Sequence, residues 1–202
     1  MLETFKESML SALTSMGIWY EVLYNAFGVI AITLMVITYQ FKKREKVIKT
    51  YIFATVGWTI YFFLKGQFTS CILNLIGVAR SIVFLQREKH AWANSKFWLF
   101  FFLVIMVGGT ATTISKWTDI FPLIASTLST IAYFVLNVKL LKLLNMGNSA
   151  FWLTNNLING TYIAAVSDSL SIISIIVSFI RYKIEDKKAK TQNSIEENKE
   201  KN

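Results

Sequence analysis

AFGVIAITLMVITY, residues 26–39, can be laid without a gap on IFPLIASTLSTIAY, residues 120–133. Phe27, Ile30, Ala31, Thr33, Leu34, Ile37 and Tyr39 meet Phe121, Ile124, Ala125, Thr127, Leu128, Ile131 and Tyr133. The same shift of 94 positions carries residues 26–88 onto 120–182, bringing Trp58 onto Trp152, Gly66 onto Gly160 and Arg87 onto Arg181. About a dozen identities result, where apolar composition alone gives roughly five. The chain reads as two copies of one unit.

The unit is built for an apolar solvent. Hydrophobic residues make up 54% of the chain and charged residues only 16%, and mean hydropathy is +0.47. One soluble core of this size needs far less apolar sequence. Several blocks approach the roughly 20 residues needed to span a bilayer. Seven candidate spans follow, at about 22–40, 49–65, 68–86, 96–115, 120–138, 148–164 and 167–183. Three belong to each copy and the fourth lies between them. Consecutive three-helix units would face opposite ways, and one intervening helix restores a common direction. The expected fold class is all-α: seven transmembrane helices in a three-plus-one-plus-three parallel repeat of triple-helix bundles.

The organisation expected is an N-terminal segment over 1–21, a first repeat over 22–88 and a linker helix over 89–118. A second repeat over 119–183 and a tail over 184–202 complete it. Leu2, Phe5, Met9, Leu13 and Met16 sit at helical spacing, which suits either a short interfacial helix or a frayed extension. The tail mixes Lys, Glu, Asn and Gln with almost nothing apolar and reads as disordered. No basic stretch runs directly into an apolar one at the N-terminus, so no cleavable signal is expected.

The net charge of +9 sits where membrane topology would put it, and no nucleic-acid partner is expected. "FKKREKVIKT" (41–50), "QREKHAWANSK" (86–96), Lys139 with Lys142, and Arg181 with Lys183, Lys187 and Lys188 occupy alternate connections. The other connections carry Lys65, Lys116 balanced by Asp119, and Ser167 with Asp168. Positive charge marks the cytoplasmic side. The N-terminus is therefore expected outside and the C-terminus in the cytoplasm. A single cysteine, Cys71, and a single histidine, His90, which lies among Arg87, Glu88 and Lys89, leave no parts for a metal centre or a nucleophile–base pair. No cofactor and no enzymatic activity are expected.

Polar residues within the apolar blocks mark the candidate site. In the shifted alignment Asn74 meets Asp168, and each follows its tryptophan, Trp58 or Trp152, by 16 residues. A helix, a turn at Gly66 or Gly160, and a second helix would bring each pair to one depth between the halves. Asn155, Asn156 and Asn159 are assigned to the face of Trp152. Ser167, Ser171, Ser174 and Ser178 form one stripe, and Ser126, Thr130, Tyr133 and Asn137 another; such residues also serve as packing contacts between membrane helices. A carboxylate near the bilayer centre costs about 2.5–3.5 kcal/mol on insertion scales, so Asp168 calls for a solvated or ligand-filled cavity. Arg80 is expected to snorkel to the cytoplasmic interface. The expected substrate-binding set is Trp58, Asn74, Trp152, Asp168, Asn155 and Asn156. The expected ligand is a small polar solute such as a sugar, nucleoside or amine, with the lipid bilayer as surroundings. Nothing in the sequence sets the oligomeric state.

"FGVIAITLMVITYQFKKRE", "FFLKGQFTSCILNLIGVAR" and the terminal W…NG…IRY pattern resemble the bacterial inner-membrane YgjV proteins over roughly residues 25–183. The resemblance implies kinship with the SWEET and PQ-loop transporters, whose triple-helix bundles repeat in parallel. In SWEET-like carriers a Trp on the middle helix and an Asn on the next line each half of the pocket. Trp58 with Asn74 and Trp152 with Asp168 match, with Asp in place of Asn in the second half. Gln40 follows Tyr39 rather than a proline, and the one proline is Pro122, so SWEET-type proline hinges are missing. The reading is a small-solute carrier whose bundles rock about a central Trp/Asn/Asp site. A vitamin-precursor carrier of the PnuC type is the alternative within that class, and a non-transporting assembly or regulatory protein the alternative outside it.

Cysteines placed at Lys43, Lys89 and Lys187 are expected to react with an impermeant thiol reagent only from the cytoplasm, and one at Lys116 only from outside. Labelling of Lys187→Cys from outside would require an even number of crossings.

Overall fold

The computed structural model describes residues 2–111 and 116–200, with side chains over 7–109, at 111, and over 116–191. The end of the expected fourth span, 112–115, lies outside the described residues, as do the side chains of Leu2 and Phe5 on the N-terminal face. Eight α-helices account for nearly all of what is described: α1 (Leu2–Thr14), α2 (Ile18–Thr38), α3 (Arg44–Leu64), α4 (Phe68–Leu85), α5 (Lys96–Ala111), α6 (Ile120–Phe134), α7 (Val138–Ile158) and α8 (Tyr162–Glu200). Among the described residues four stretches are long and apolar enough to cross a membrane: Ile18–Thr38, Arg44–Leu64, Phe68–Glu88 and Tyr162–Thr191.

The three other expected spans overlap α5, α6 and α7, which do not qualify on length and composition alone. The expected span 148–164 starts ten residues into α7 and runs across the Gly160 turn. The 15 residues of α6 reach only about 22 Å at 1.5 Å per residue, short of the roughly 30 Å hydrocarbon core. The described part of α5 is likewise short, at 16 residues. α7 is 21 residues long but carries Lys139, Lys142, Asn145 and Asn148, which lower its hydropathy. The bundle buries Lys142, Asn145 and Asn148, while the exposed Lys139 reaches Asp186 at the helix end.

Both helical hairpins close in the same way. Gly66 and Gly160 have φ of 66° and 67°, in the left-handed region that only glycine enters without steric cost. Behind each, two backbone bonds tie off the preceding helix. Gly66 N–H donates to Phe63 O at 3.0 Å and Gln67 N–H to Phe62 O at 2.9 Å. In the second hairpin Gly160 N–H donates to Leu157 O at 3.3 Å and Thr161 N–H to Asn156 O at 2.8 Å. This is the Schellman closure. α3 and α7 are both 21 residues long, and their starts, like those of α4 and α8, lie 94 positions apart.

Packing follows the same register. α3 lies between α2 and α4, and α7 between α6 and α8. Across the halves α2 packs on α8 and α4 on α6, while α5 lies against α4 and α6. At the turns, Gln67 Nε2 donates to Thr161 Oγ1 at 3.0 Å, two positions also 94 apart. At the opposite end, Gln40 Nε2 donates to Ser174 Oγ at 2.6 Å and Ser174 Oγ to Val36 O at 2.9 Å.

The distribution of polarity is inverted relative to a water-soluble protein. Val104 is 71% exposed and Phe53 67%, whereas Ser129, Thr130, Lys142 and Asn145 are at most 1% exposed. An outer surface of that kind suits lipid, and the interior groups must then be satisfied by the protein. Helix α8 runs on through Glu200. From residue 183 onward the segment has no Gly or Pro and is rich in Lys and Glu, both good helix formers.

Gly160→Ala is expected to cost about 1–2 kcal/mol, the penalty for a Cβ in the left-handed region. Space is not the issue, because nothing lies within 4 Å of the added carbon. Gly108→Ala meets equally open space inside a helix and serves as the control. Melting temperatures in detergent that fall equally for both would contradict the turn argument.

Candidate functional site

A small cleft of about 40 Å³ opens where the two halves meet. Its walls carry three pairs of positions separated by 94 residues: Trp58 with Trp152, Phe62 with Asn156, and Asn74 with Asp168. The turns explain the coincidence. Trp58 and Asn74 each lie eight residues from Gly66, and Trp152 and Asp168 each lie eight from Gly160. A tight hairpin puts such residues at one depth, and the pairing of α2 with α8 and α4 with α6 turns both pairs toward one space.

One wall is aromatic. Phe62 stacks on Trp152 with centroids 5.9 Å apart and planes at 20°, and Trp58 lies 5.7 Å from Phe62 at 31°. Tyr51, Thr55, Asn148, Met35 and Ala164 fill in the remainder. The polar side chains are held by their own hairpins. Asn156 Nδ2 donates to Asp168 Oδ2 at 2.8 Å, joining α7 to α8 across the Gly160 turn. Asn74 Nδ2 donates to Ser70 O at 2.8 Å, one turn back on α4. Asp168 is 8% exposed and forms no ion pair with a described basic residue.

Five of the six expected site residues line this cleft: Trp58, Asn74, Trp152, Asn156 and Asp168. Asn155 does not. It is buried, and its Oδ1 and backbone O accept from Asn159 Nδ2 at 3.0 and 2.9 Å. At about 100° per residue Asn155 lies about 60° to one side of Trp152 and Asn156 about 40° to the other, and the cleft lies on the side of Asn156. Phe62 and Asn148 are not among the expected residues: the first looks like ordinary core, and the second is one of several polar residues spaced along α7.

Arg80 does not snorkel. It is 1% exposed, and its guanidinium is spent on α6: Nη1 donates to Ser126 O at 3.1 Å and Thr130 Oγ1 at 2.6 Å, and Nη2 to Ser129 Oγ at 2.7 Å. Its Cζ also sits 5.5 Å from the centre of the Tyr133 ring. A fork of donors matched to three acceptors on the facing helix outweighs the reach to water. Two more buried cations lie toward the same end. Arg44 donates to Val135 O, Phe84 O and Tyr133 O at 3.1, 3.0 and 2.7 Å, tying α3 to the ends of α4 and α6. Lys142 Nζ donates to Ser178 Oγ at 2.5 Å and Tyr182 OH at 3.1 Å. All three neutralise themselves mainly on carbonyl and hydroxyl oxygens rather than on carboxylates.

The expected serine stripe on α8 is buried throughout, at Ser167, Ser171, Ser174 and Ser178. Ser174 and Ser178 act as acceptors for neighbouring helices, the packing role such residues have in membrane bundles.

A model of the Imp-YgjV family, described as bacterial inner membrane protein, matches residues 22–186. No curated protein matches the chain, and no solved structure does.

Asn156→Leu keeps the volume but removes the donor to Asp168. It is expected to lower stability by about 1–3 kcal/mol, the cost of leaving a buried polar group unsatisfied. The reading is the melting temperature in detergent. An unchanged value would mean that the bond to Asp168 is not formed.

Proposed function

Because the chain belongs to the Imp-YgjV family of bacterial inner membrane proteins, we propose that it carries a small polar solute across that membrane. In this reading α2 to α8 cross the bilayer seven times. α2–α4 and α6–α8 are two parallel bundles, α5 links them, the N-terminus is outside and the C-terminus cytoplasmic. The observation that carries it is the cleft between the halves, walled by three pairs of positions at one sequence offset. A site built from equivalent elements of two similar bundles can open to either side by tilting one bundle against the other. Side-chain contacts tie the halves at both ends of the cleft, Gln67 to Thr161 at the turns and Gln40 to Ser174 opposite. These two contacts join neutral groups and can be exchanged for water at low cost. Arg44 and Arg80, by contrast, bond α3 and α4 to α6, and Lys42 pairs with Glu185 across the halves, so tilting must pivot about those charged ties or exchange them.

Sugars, nucleosides and amines, screened against the full-length protein in detergent, are expected to include a solute that raises its melting temperature. A ligand bound only to the folded state, at about 100 times its Kd, contributes about 2.7 kcal/mol. The same solute should enter proteoliposomes, and Trp58→Ala and Trp152→Ala should each lose both effects. A screen in which nothing stabilises the protein would contradict the carrier reading. So would a bound solute that never crosses.

A further inference from the structure

Resting on that carrier reading, we infer that the cleft is selective for an organic monocation, a protonated amine with a flat apolar body. The geometry that points to it is the direction of the polar groups. Asn156 and Asn74 each spend their amide nitrogen on the protein, on Asp168 Oδ2 and on Ser70 O. Those partners are oxygens, which fixes the amides: nitrogen toward the partner, oxygen left over. Asn156 Oδ1 is buried with no hydrogen-bond partner among the described residues. Beside it is Asp168, with one oxygen engaged by Asn156. What remains available to a guest at these positions is acceptor rather than donor.

Charge points the same way. Asp168 is the one ionisable acid in the wall, and no basic side chain lines the cleft. The buried cations stay out of the wall itself: Arg80 bonds to α6 and to the lining residue Tyr51, and Lys142 bonds to α8. An anionic solute would meet a carboxylate and amide oxygens with no compensating charge. A neutral sugar would satisfy the amides but bring no counter-charge to the ionised form of Asp168, buried at 8% exposure. An ammonium group satisfies both, because it brings a positive charge and several N–H donors. The stacked Phe62 and Trp152 rings and the nearby Trp58 then offer π faces to the cation and apolar area to the rest of the solute.

The two halves differ here in a way that sets orientation. The position occupied by Asp168 in one half is held by the neutral Asn74 in the other. One charge in a site built from two equivalent positions calls for a solute charged at one end only. Its ammonium lies at Asp168 and its uncharged end toward Asn74.

The test is a charge series on one carbon skeleton, bound to the full-length protein in detergent and read by calorimetry and melting temperature. Phenethylammonium, 2-phenylethanol, phenylacetate and sodium ion are the probes. The inference expects binding of the ammonium alone, with affinity about tenfold weaker in Asp168→Asn, the loss of one charged hydrogen bond. Trp152→Leu should weaken it severalfold. Equal binding of the alcohol or the carboxylate would overturn the inference, as would an Asp168→Asn variant that binds the amine like wild type. A sodium effect dependent on Asp168, with none from the amine, would overturn the organic part by showing that the counter-ion is inorganic. No binding by any probe would overturn it as well. In all these cases the carrier reading is judged separately, by the uncharged sugars and nucleosides of the screen above. Should Asp168→Asn fail to fold, the wild-type charge series still decides.

Discussion

The left-handed glycine at each hairpin turn is the constraint on which the other features of the bundle depend. Gly66 and Gly160 reverse the chain in one residue at φ of 66° and 67°. A reversal that tight leaves no slack, so the depth of every residue on the paired helices is counted from the glycine. Residues eight positions before and eight after arrive level with each other. That is how a tryptophan and a polar residue come to share one plane in each hairpin, and how the two planes come to share one cleft. A longer turn would let the helices slide by a residue or more, and each residue of slip rotates a helix face by 100°.

A second constraint is the solvent. A chain with an apolar exterior cannot leave interior polar groups to water, and each must find a partner inside. Arg44, Arg80 and Lys142 solve this mainly with carbonyls and hydroxyls on facing helices. In doing so they tie α3 and α4 to α6, and α7 to α8. The cationic groups thereby become structural ties. Asp168 is treated differently: one amide holds it in place, and no described cation neutralises it. Separation of buried charge into spent cations and an unspent acid gives the cleft its chemical character.

Much of this was legible in the sequence because turns and shifts are local. The 94-residue offset located both glycines, both tryptophans and the Asn74–Asp168 pair, and helix starts at residues 44 and 138, and at 68 and 162, keep that offset. Legibility failed where the outcome rests on which neighbour a side chain meets. Arg80 had a plausible route to water, and only the placement of Ser126, Ser129 and Thr130 on α6 shows why it turns inward. Asn155 and Asn156 are identical in type and adjacent, so composition could not separate the one in the cleft from the one bonded to Asn159. Phe62 carries no polar signal at all. Hydropathy overstated α6 and α7 as independent spans, since α6 is short and the polarity of α7 is hidden only by its neighbours.

The central claim is that two similar bundles move against each other around the cleft. Distances between paired spin labels measure it directly, in the protein reconstituted in lipid. One pair, at Lys65 and Asn159, reports the turn end, and a second, at Lys46 and Leu140, the opposite end; within each pair the positions are 94 apart. The account predicts two populations in which one distance lengthens as the other shortens, with a stabilising solute shifting their ratio. A single unchanging distance at both ends, with and without solute, would contradict it.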